Sequence, residues 1–253
     1  MNSSADTILW PPCANAPPLA PNEIHVWATT LAPTASDLEK FAMVLSLDET
    51  ERAHKFRFEK HRNRFIAGRG ALRHVLAPYL RTTPKDIRFS YSDNGKPALA
   101  GELAGAGIHF NLAHSEELAL AAVTRIGIVG VDVERVRPVE NVDHLVARFF
   151  SARENEAFQK VPSDEKPAAF FNLWTRKEAL LKATGEGITR SLSLVEVSFL
   201  PGEPARLLAI SGDAAKAAEW SLRDFLPATG FVGAVAIRAR NIGVQCWKWE
   251  TEK

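Results

Sequence analysis

Cysteine is scarce in this chain, and long apolar runs are missing from it. Only Cys13 and Cys246 occur in 253 residues, at opposite ends and without metal-ligand spacing. That excludes a disulfide framework or a cysteine-built metal cluster and points to free thiols in a reducing compartment. No window approaches the roughly 18 apolar residues of a membrane span, and the opening MNSSADTILW lacks the basic and apolar regions of a signal peptide. A cytoplasmic protein is expected. HExxH, GxGxxG, P-loop and GxSxG patterns are all missing, which argues against zinc proteases, dinucleotide enzymes, P-loop NTPases and serine hydrolases. Neither sign of charge dominates: 31 Lys and Arg face 30 Asp and Glu, with 46% hydrophobic residues. This composition fits a soluble globular protein, not a disordered or generally nucleic-acid-coating one.

What is present reads as two similar α+β halves. The prolines of PPCANAPPLAPN mark residues 1–22 as a flexible or loosely draped arm. EIHVWATTL opens the first half, 23–125, as a strand. Ser46 to Glu49 forms a capping-box pattern for a long helix over roughly 47–80. IRFSYSD alternates as a strand and runs into a turn at Asn94-Gly95. IHFNLAHS, ELALAAV and IGIVGVDVERV are three further strand-like runs, the last opening the second half, 126–253. Helical segments follow at about 141–160 and at 166–184, the latter closed by Gly185. VEVSFL, ARLLAI, WSLRDF, GFVGAVAI and VQCWKW then read as antiparallel strands. FIAGRGALRHVLA and FNLWTRKEALLKA share a faint pattern, compatible with two related halves meeting near residue 125.

Four constellations could carry chemistry. In GVDVERVRP, strand alternation puts Asp132 and Glu134 on one face and Val129, Val131 and Val133 on the other. Two carboxylates about 6–7 Å apart at Cα can converge on a hard cation such as Mg²⁺. A solvated acidic strand face would give the same pattern. In WTRKEALLKATG, Glu178 and Lys182 stand at i and i+4 beside Trp174, Phe171 and Leu181. They are either a routine helix pair or a metal carboxylate with a phosphate-directed lysine. Between Arg52 and Arg73 lie eight Lys or Arg and one acid, Glu59. This local excess fits an anionic partner or a solvated face. His114, in FNLAHSEE, is either a phosphate contact or acid/base group or a structural loop histidine.

Taken in order, ERAHKFRFEKHRNRFIAGRGALR, NGKPAL, FNLAHS, GVDVERVRP, RFFSARE and FFNLWTRKEALLKATGEGI resemble the Sfp-type 4'-phosphopantetheinyl transferases, over about residues 47–200. The resemblance implies an α+β pseudo-dimer of two similar halves, with the active site in the cleft between them and the chain acting as a monomer. It implies transfer of phosphopantetheine from coenzyme A to a serine of an acyl or peptidyl carrier protein. The reaction would require Mg²⁺ and release adenosine 3',5'-bisphosphate. By resemblance, Asp132, Glu134 and Glu178 hold Mg²⁺, and Glu134 or Glu178 helps deprotonate the serine. Lys182 meets the pyrophosphate. Arg52, Lys96 and His114, with Arg69, surround the nucleotide's 3'-phosphate and adenine. Apart from the resemblance, Lys177 is expected to help orient the site or reach phosphate. Fatty-acid, polyketide and peptide-synthetase carriers are all compatible.

Two positions depart from the family pattern. Ala113 stands where many members carry serine near the 3'-phosphate, and Glu49 stands at a position of a second basic contact. Both bear on coenzyme A affinity and neither touches the metal carboxylates. A non-catalytic coenzyme A or carrier binder, and a Mg²⁺-dependent phosphodiesterase acting on nucleic acid, are the competing classes.

Overall fold

A computed structural model describes residues 10–92, 95–185 and 192–250. The expected turn residue Asn94 and the GEGI residues 186–188 lie outside the described residues. The protein is α+β, and it divides into two compact units, 9–126 with 243–253, and 127–242. Among the described residues no helix is long and apolar enough to cross a membrane.

The first unit is built on a five-stranded sheet. Its strands are β1 (Pro12–Cys13), the chain's last strand (Gly243–Trp249), β2 (Glu23–Thr30), β6 (Leu118–Thr124) and β5 (His109–Ser115), in that spatial order. A hairpin, β3 (Phe89–Tyr91) with β4 (Pro97–Leu99), stands apart. VQCWKW was expected to pair antiparallel with the other strands of the tail. Instead the last strand lies parallel to β2, from Gly243 opposite Glu23 to Lys248 opposite Ala28. A parallel partner needs a long crossover, so a local pattern could not disclose it.

The expected helix over 47–80 is in fact two, α2 (Leu47–His54) and α3 (Glu59–Leu80), preceded by α1 (Ala35–Met43). The capping box at Ser46 and Glu49 does open α2. The break falls in a dense run of cations, where one continuous helix would align like charges at i,i+3, Arg52 with Lys55 and Arg57 with Lys60. Phe58 adopts an extended conformation there, and Phe56 folds back so that its ring lies 5.4 Å from that of Phe65. Sequence reasoning passed over α1, whose signal was present: Thr34 caps it by accepting from Asp37 N. On α3, Leu72, Val75, Leu76 and Tyr79 recur at helical spacing and pack on Trp27, Phe110, Ala121 and Val123 of the sheet.

Glu49 does more than cap. Its carboxylate accepts from Arg73 Nε at 2.8 Å, and both side chains are at most 1% exposed. Arg73 Nη1 also donates to Pro84 O and Ile87 O, at 3.0 and 2.7 Å. One buried pair thus ties α2, α3 and the chain that follows α3.

The second unit has a three-stranded antiparallel sheet of β7 (Val129–Arg135), β11 (Phe231–Ile237) and β10 (Ser221–Phe225), with β7 and β10 flanking β11, and a hairpin of β8 (Val195–Val197) with β9 (Leu207–Ile210). The helices are α4 (Val142–Phe149), α5 (Ala152–Gln159), α6 (Lys166–Thr184) and the short α7 (Ala214–Ala217). The span expected to be helical at 141–160 is interrupted by Ser151, which caps α5 with a second capping box to Glu154. Helix α6 has the expected bounds, with Gly185 at φ 78° ending it.

Two predictions concern the first unit. Arg73→Met should strand the Glu49 carboxylate and lower unfolding stability by about 3–5 kcal/mol, read by urea denaturation. Adding Glu49→Gln should recover part of that loss. The second concerns His25, which is fully buried, bonded to Tyr79 Oη at 2.7 Å, and shifted below the usual histidine range chiefly by burial. A depressed histidine is neutral when folded, while the unfolded chain takes up the proton near pH 6.5. Stability should therefore fall as pH drops below about 6.5. Denaturation midpoints at pH 7.5 and 5.5 should show a smaller acid loss in His25→Gln.

Candidate functional site

The carboxylates of β7 meet helix α6 because of one glycine. Gly130 shares a strand face with Asp132 and Glu134. A Cβ on Gly130 would lie 2.0 Å from Ala179 O and 2.5 Å from Ala183 N. The helix can therefore sit directly on this face of the strand only because no side chain intervenes. Asp132 then comes within reach of Lys182, whose Nζ donates to Asp132 Oδ1 at 2.6 Å and to Val131 O at 3.2 Å.

This contact leaves unmet valence. Asp132 Oδ2 and Glu178 Oε1 are buried and have no hydrogen-bond partner. Burial raises the Asp132 carboxyl to about 6 against the pull of Lys182, with Glu134 adding a push upward. Burial likewise raises Glu178 to about 7, reinforced by the charge of Asp132 and opposed by Lys182. Glu134 pushes both Asp132 and Glu178 upward, Asp132 pushes Glu178, and Lys182 pulls both down, so these acids form one electrostatic cluster with a single lysine. Glu134 is closer to solvent, its carboxylate 3.7 Å from Arg137 Nη1. Among the described residues no three His, Cys, Asp or Glu side chains form a ready-made metal nest. The orphaned oxygens on two neighbouring acids nevertheless make a donor set that suits a hard cation.

The four remaining candidates belong to the first unit. Arg52 and Arg69 share the ring of Phe65, at 5.4 and 5.7 Å from its centroid. Arg69 also lies 5.4 Å from the Tyr91 centroid, and its buried Nη1 has no partner. Desolvation lowers its pKa, and nearby Arg52 and Arg73 act in the same direction. Lys96 adjoins this patch in sequence, in the turn leading to Pro97, which pairs with Tyr91. Its backbone N–H donates to Ser92 Oγ at 3.1 Å. His114 is exposed on β5, opposite Ala119 of β6. Glu49 is occupied by Arg73, so the acid at that position is neutralised within the protein.

Lys177 was expected to orient the site or reach phosphate; its side chain is fully buried and turned into the protein, so of the two it does not reach phosphate. Nζ donates to Glu154, to Leu192 O at 2.7 Å and to Val195 O, which uses all three of its protons. Glu154 Oε1 in turn accepts from Val197 N at 3.0 Å. Sequence reasoning passed over Glu154, although its Ser151-to-Glu154 spacing was a capping-box signal.

An acid cluster with a lysine on a strand–helix pair, and an arginine pair beside aromatic rings, define a protein equipped for phosphorylated ligands. Comparison with known proteins makes this specific. Residues 128–236 match the family described as the 4'-phosphopantetheinyl transferase superfamily, and residues 29–125 match the 4'-phosphopantetheinyl transferase N-terminal family. The chain is 41% identical to the 4'-phosphopantetheinyl transferase HetI of Nostoc sp. (strain PCC 7120), over 91% of this chain and 94% of that one. It is 30% identical to the 4'-phosphopantetheinyl transferase Sfp of Bacillus subtilis (strain 168), over 63% of this chain and 68% of that one. Against AcpT of Escherichia coli K12, likewise a 4'-phosphopantetheinyl transferase, identity is 37% over 49% and 58% of the two chains. The chain belongs to the 4'-phosphopantetheinyl transferase family and is an enzyme of that class.

The closeness of β7 and α6 is testable. Gly130→Ala must push the helix backbone off the strand, with a cost of about 1–3 kcal/mol. A lower melting temperature together with loss of transferase activity is expected, and a variant with both unchanged would show that the helix does not need this approach.

Proposed function

We propose that the protein transfers the 4'-phosphopantetheine arm of coenzyme A to a serine of an apo acyl or peptidyl carrier protein. The observation that carries this reading is the pair of orphaned oxygens, Asp132 Oδ2 and Glu178 Oε1, beside Lys182. Family membership supports phosphopantetheinyl transfer, and the chemistry of the cluster supports the finer steps. In the transfer, the serine Oγ forms a bond to the β-phosphorus of coenzyme A. The pyrophosphate P–O bond breaks, and adenosine 3',5'-bisphosphate leaves.

Asp132, Glu134 and Glu178 are the residues that would hold Mg²⁺. When bound, that ion supplies charge neutralisation at the pyrophosphate. Glu134 or Glu178 accepts the serine proton. Lys182 has its ammonium already within the acid cluster, and it places positive charge or a proton on the departing oxygen. Arg52, Arg69, Lys96 and His114 bind the 3'-phosphate and adenine. Of these, Arg69 has a buried and unsatisfied N–H, and its neighbouring rings present a face on which a base can stack. The same reading takes a single chain, acting in the cytoplasm, as the working unit. The basic excess between Arg52 and Arg73 suits an acidic carrier and would speed association at low salt.

Incubation with several apo carriers, coenzyme A and Mg²⁺, followed by intact-mass spectrometry, should show one phosphopantetheine added to a carrier. Chelation of Mg²⁺ should stop it. Glu178→Ala should lower turnover by about two orders of magnitude or more while leaving circular dichroism unchanged. Turnover near the wild-type rate in that variant would remove Glu178 from the site.

A further inference from the structure

We propose that Glu154 and Lys177 are positioning residues for the transfer: their buried ion pair fixes the rotation of α6 and so aims Glu178 and Lys182 at Asp132. The inference rests on the transfer reading above and deepens it.

Consecutive helical residues are about 100° apart, so the direction of Lys177 determines that of Glu178 beside it. Lys182 lies one residue further than a full turn past Lys177, and its direction follows in the same way. Lys177 has no freedom of its own. Its ammonium is held by Glu154, Leu192 O and Val195 O, which come from α5, from the turn before β8 and from the start of β8. Glu154 is held equally firmly, accepting from Ser151 N and Val197 N, each at 3.0 Å. The opposite flank of α6 rests on Gly130, where Ala179 O and Ala183 N crowd the glycine. The helix is therefore gripped on two sides, and the acid cluster lies along the grip formed by the strand.

A lysine and a glutamate this deeply buried contribute little net stability compared with apolar residues of similar shape. Their three-element connection does give directional control, which an apolar contact does not. Misplacing a reacting group by about 1 Å can slow a reaction on the order of 100-fold. A pair that prevents α6 from rotating therefore acts on the rate through Glu178 and Lys182, without touching substrate itself.

The test compares wild type, Glu154→Ala, Lys177→Arg and, as a control for lost stability alone, Val146→Ala, a buried residue on α4. Carrier-loading kinetics are measured together with Mg²⁺ titration calorimetry in the absence of coenzyme A. For Glu154→Ala, kcat should fall at least tenfold, with KM for coenzyme A changing less than threefold and Mg²⁺ affinity weakening at least fivefold. Lys177→Arg keeps the charge but displaces it, and should lower kcat at least threefold with a melting temperature near that of wild type. This variant decides the matter if Glu154→Ala does not fold. Val146→Ala should lose melting temperature while kcat and Mg²⁺ affinity stay within twofold. Folded Glu154 and Lys177 variants with wild-type kcat and Mg²⁺ affinity would overturn the proposal. So would an equal fall in kcat in Val146→Ala. If wild type loads no carrier, the transfer reading fails, and the calorimetry alone decides whether the pair positions the acid cluster.

Discussion

A buried glutamate that both caps a short helix and neutralises a cation on the following long helix recurs in the two units. In the first, Glu49 holds Arg73, 24 residues later; in the second, Glu154 holds Lys177, 23 residues later. Each cation also donates to two carbonyls beyond its helix, Pro84 and Ile87 in one unit, Leu192 and Val195 in the other. The constraint is electrostatic. A charge removed from water must be met by an opposite charge and by enough further partners to satisfy it. Meeting that demand joins the short helix, the long helix and the segment leading to the next strand, so one pair determines how three pieces of each unit are arranged.

The candidate site residues are then placed relative to that constraint. Arg69 lies one turn before Arg73, and Glu178 immediately follows Lys177. In both units the buried glutamate and cation are paired, and beside each pair lie buried groups with an unpartnered atom: an N–H on Arg69 in the first, oxygens on Asp132 and Glu178 in the second. Arg73 itself keeps one buried nitrogen, Nη2, without a partner, so hydrogen-bond completeness alone does not separate the frame from the candidate site.

Much of this was legible in the sequence, for identifiable reasons. The bounds of α6 could be read because its apolar spacing and closing Gly185 are local signals. The common face of Asp132 and Glu134 follows from strand alternation alone. The break between α2 and α3 was hidden because 47–80 carries helical character throughout, and only the fold-back of Phe56 onto Phe65 interrupts it. Glu49 looked like a lost basic contact, since its partner Arg73 is a turn-by-turn neighbour only in three dimensions. The likeness of the two long helices was faintly visible, but side-by-side apolar patterns align Arg73 with Ala179. The equivalent ion pairs instead match Arg73 to Lys177, two residues away, because pattern matching weighs apolar positions and the structure is keyed by charge.

The acid cluster itself explains why α6 must be held so firmly. Asp132 and Glu178 are two carboxyls pushed above their ordinary range, chiefly by burial, with the charge of Asp132 adding to the push on Glu178, Glu134 adding to both, and Lys182 opposing. Left to relax, a helix bearing Glu178 would turn that carboxyl toward water, as Glu134 is already turned toward Arg137 near the surface. Such relaxation would relieve desolvation and repulsion together, and it would also part the Glu178 carboxyl from Asp132 and Lys182. The site is thus unfavourable in isolation and persists because packing at Gly130 and the buried pair at Lys177 forbid the rotation that would relieve it.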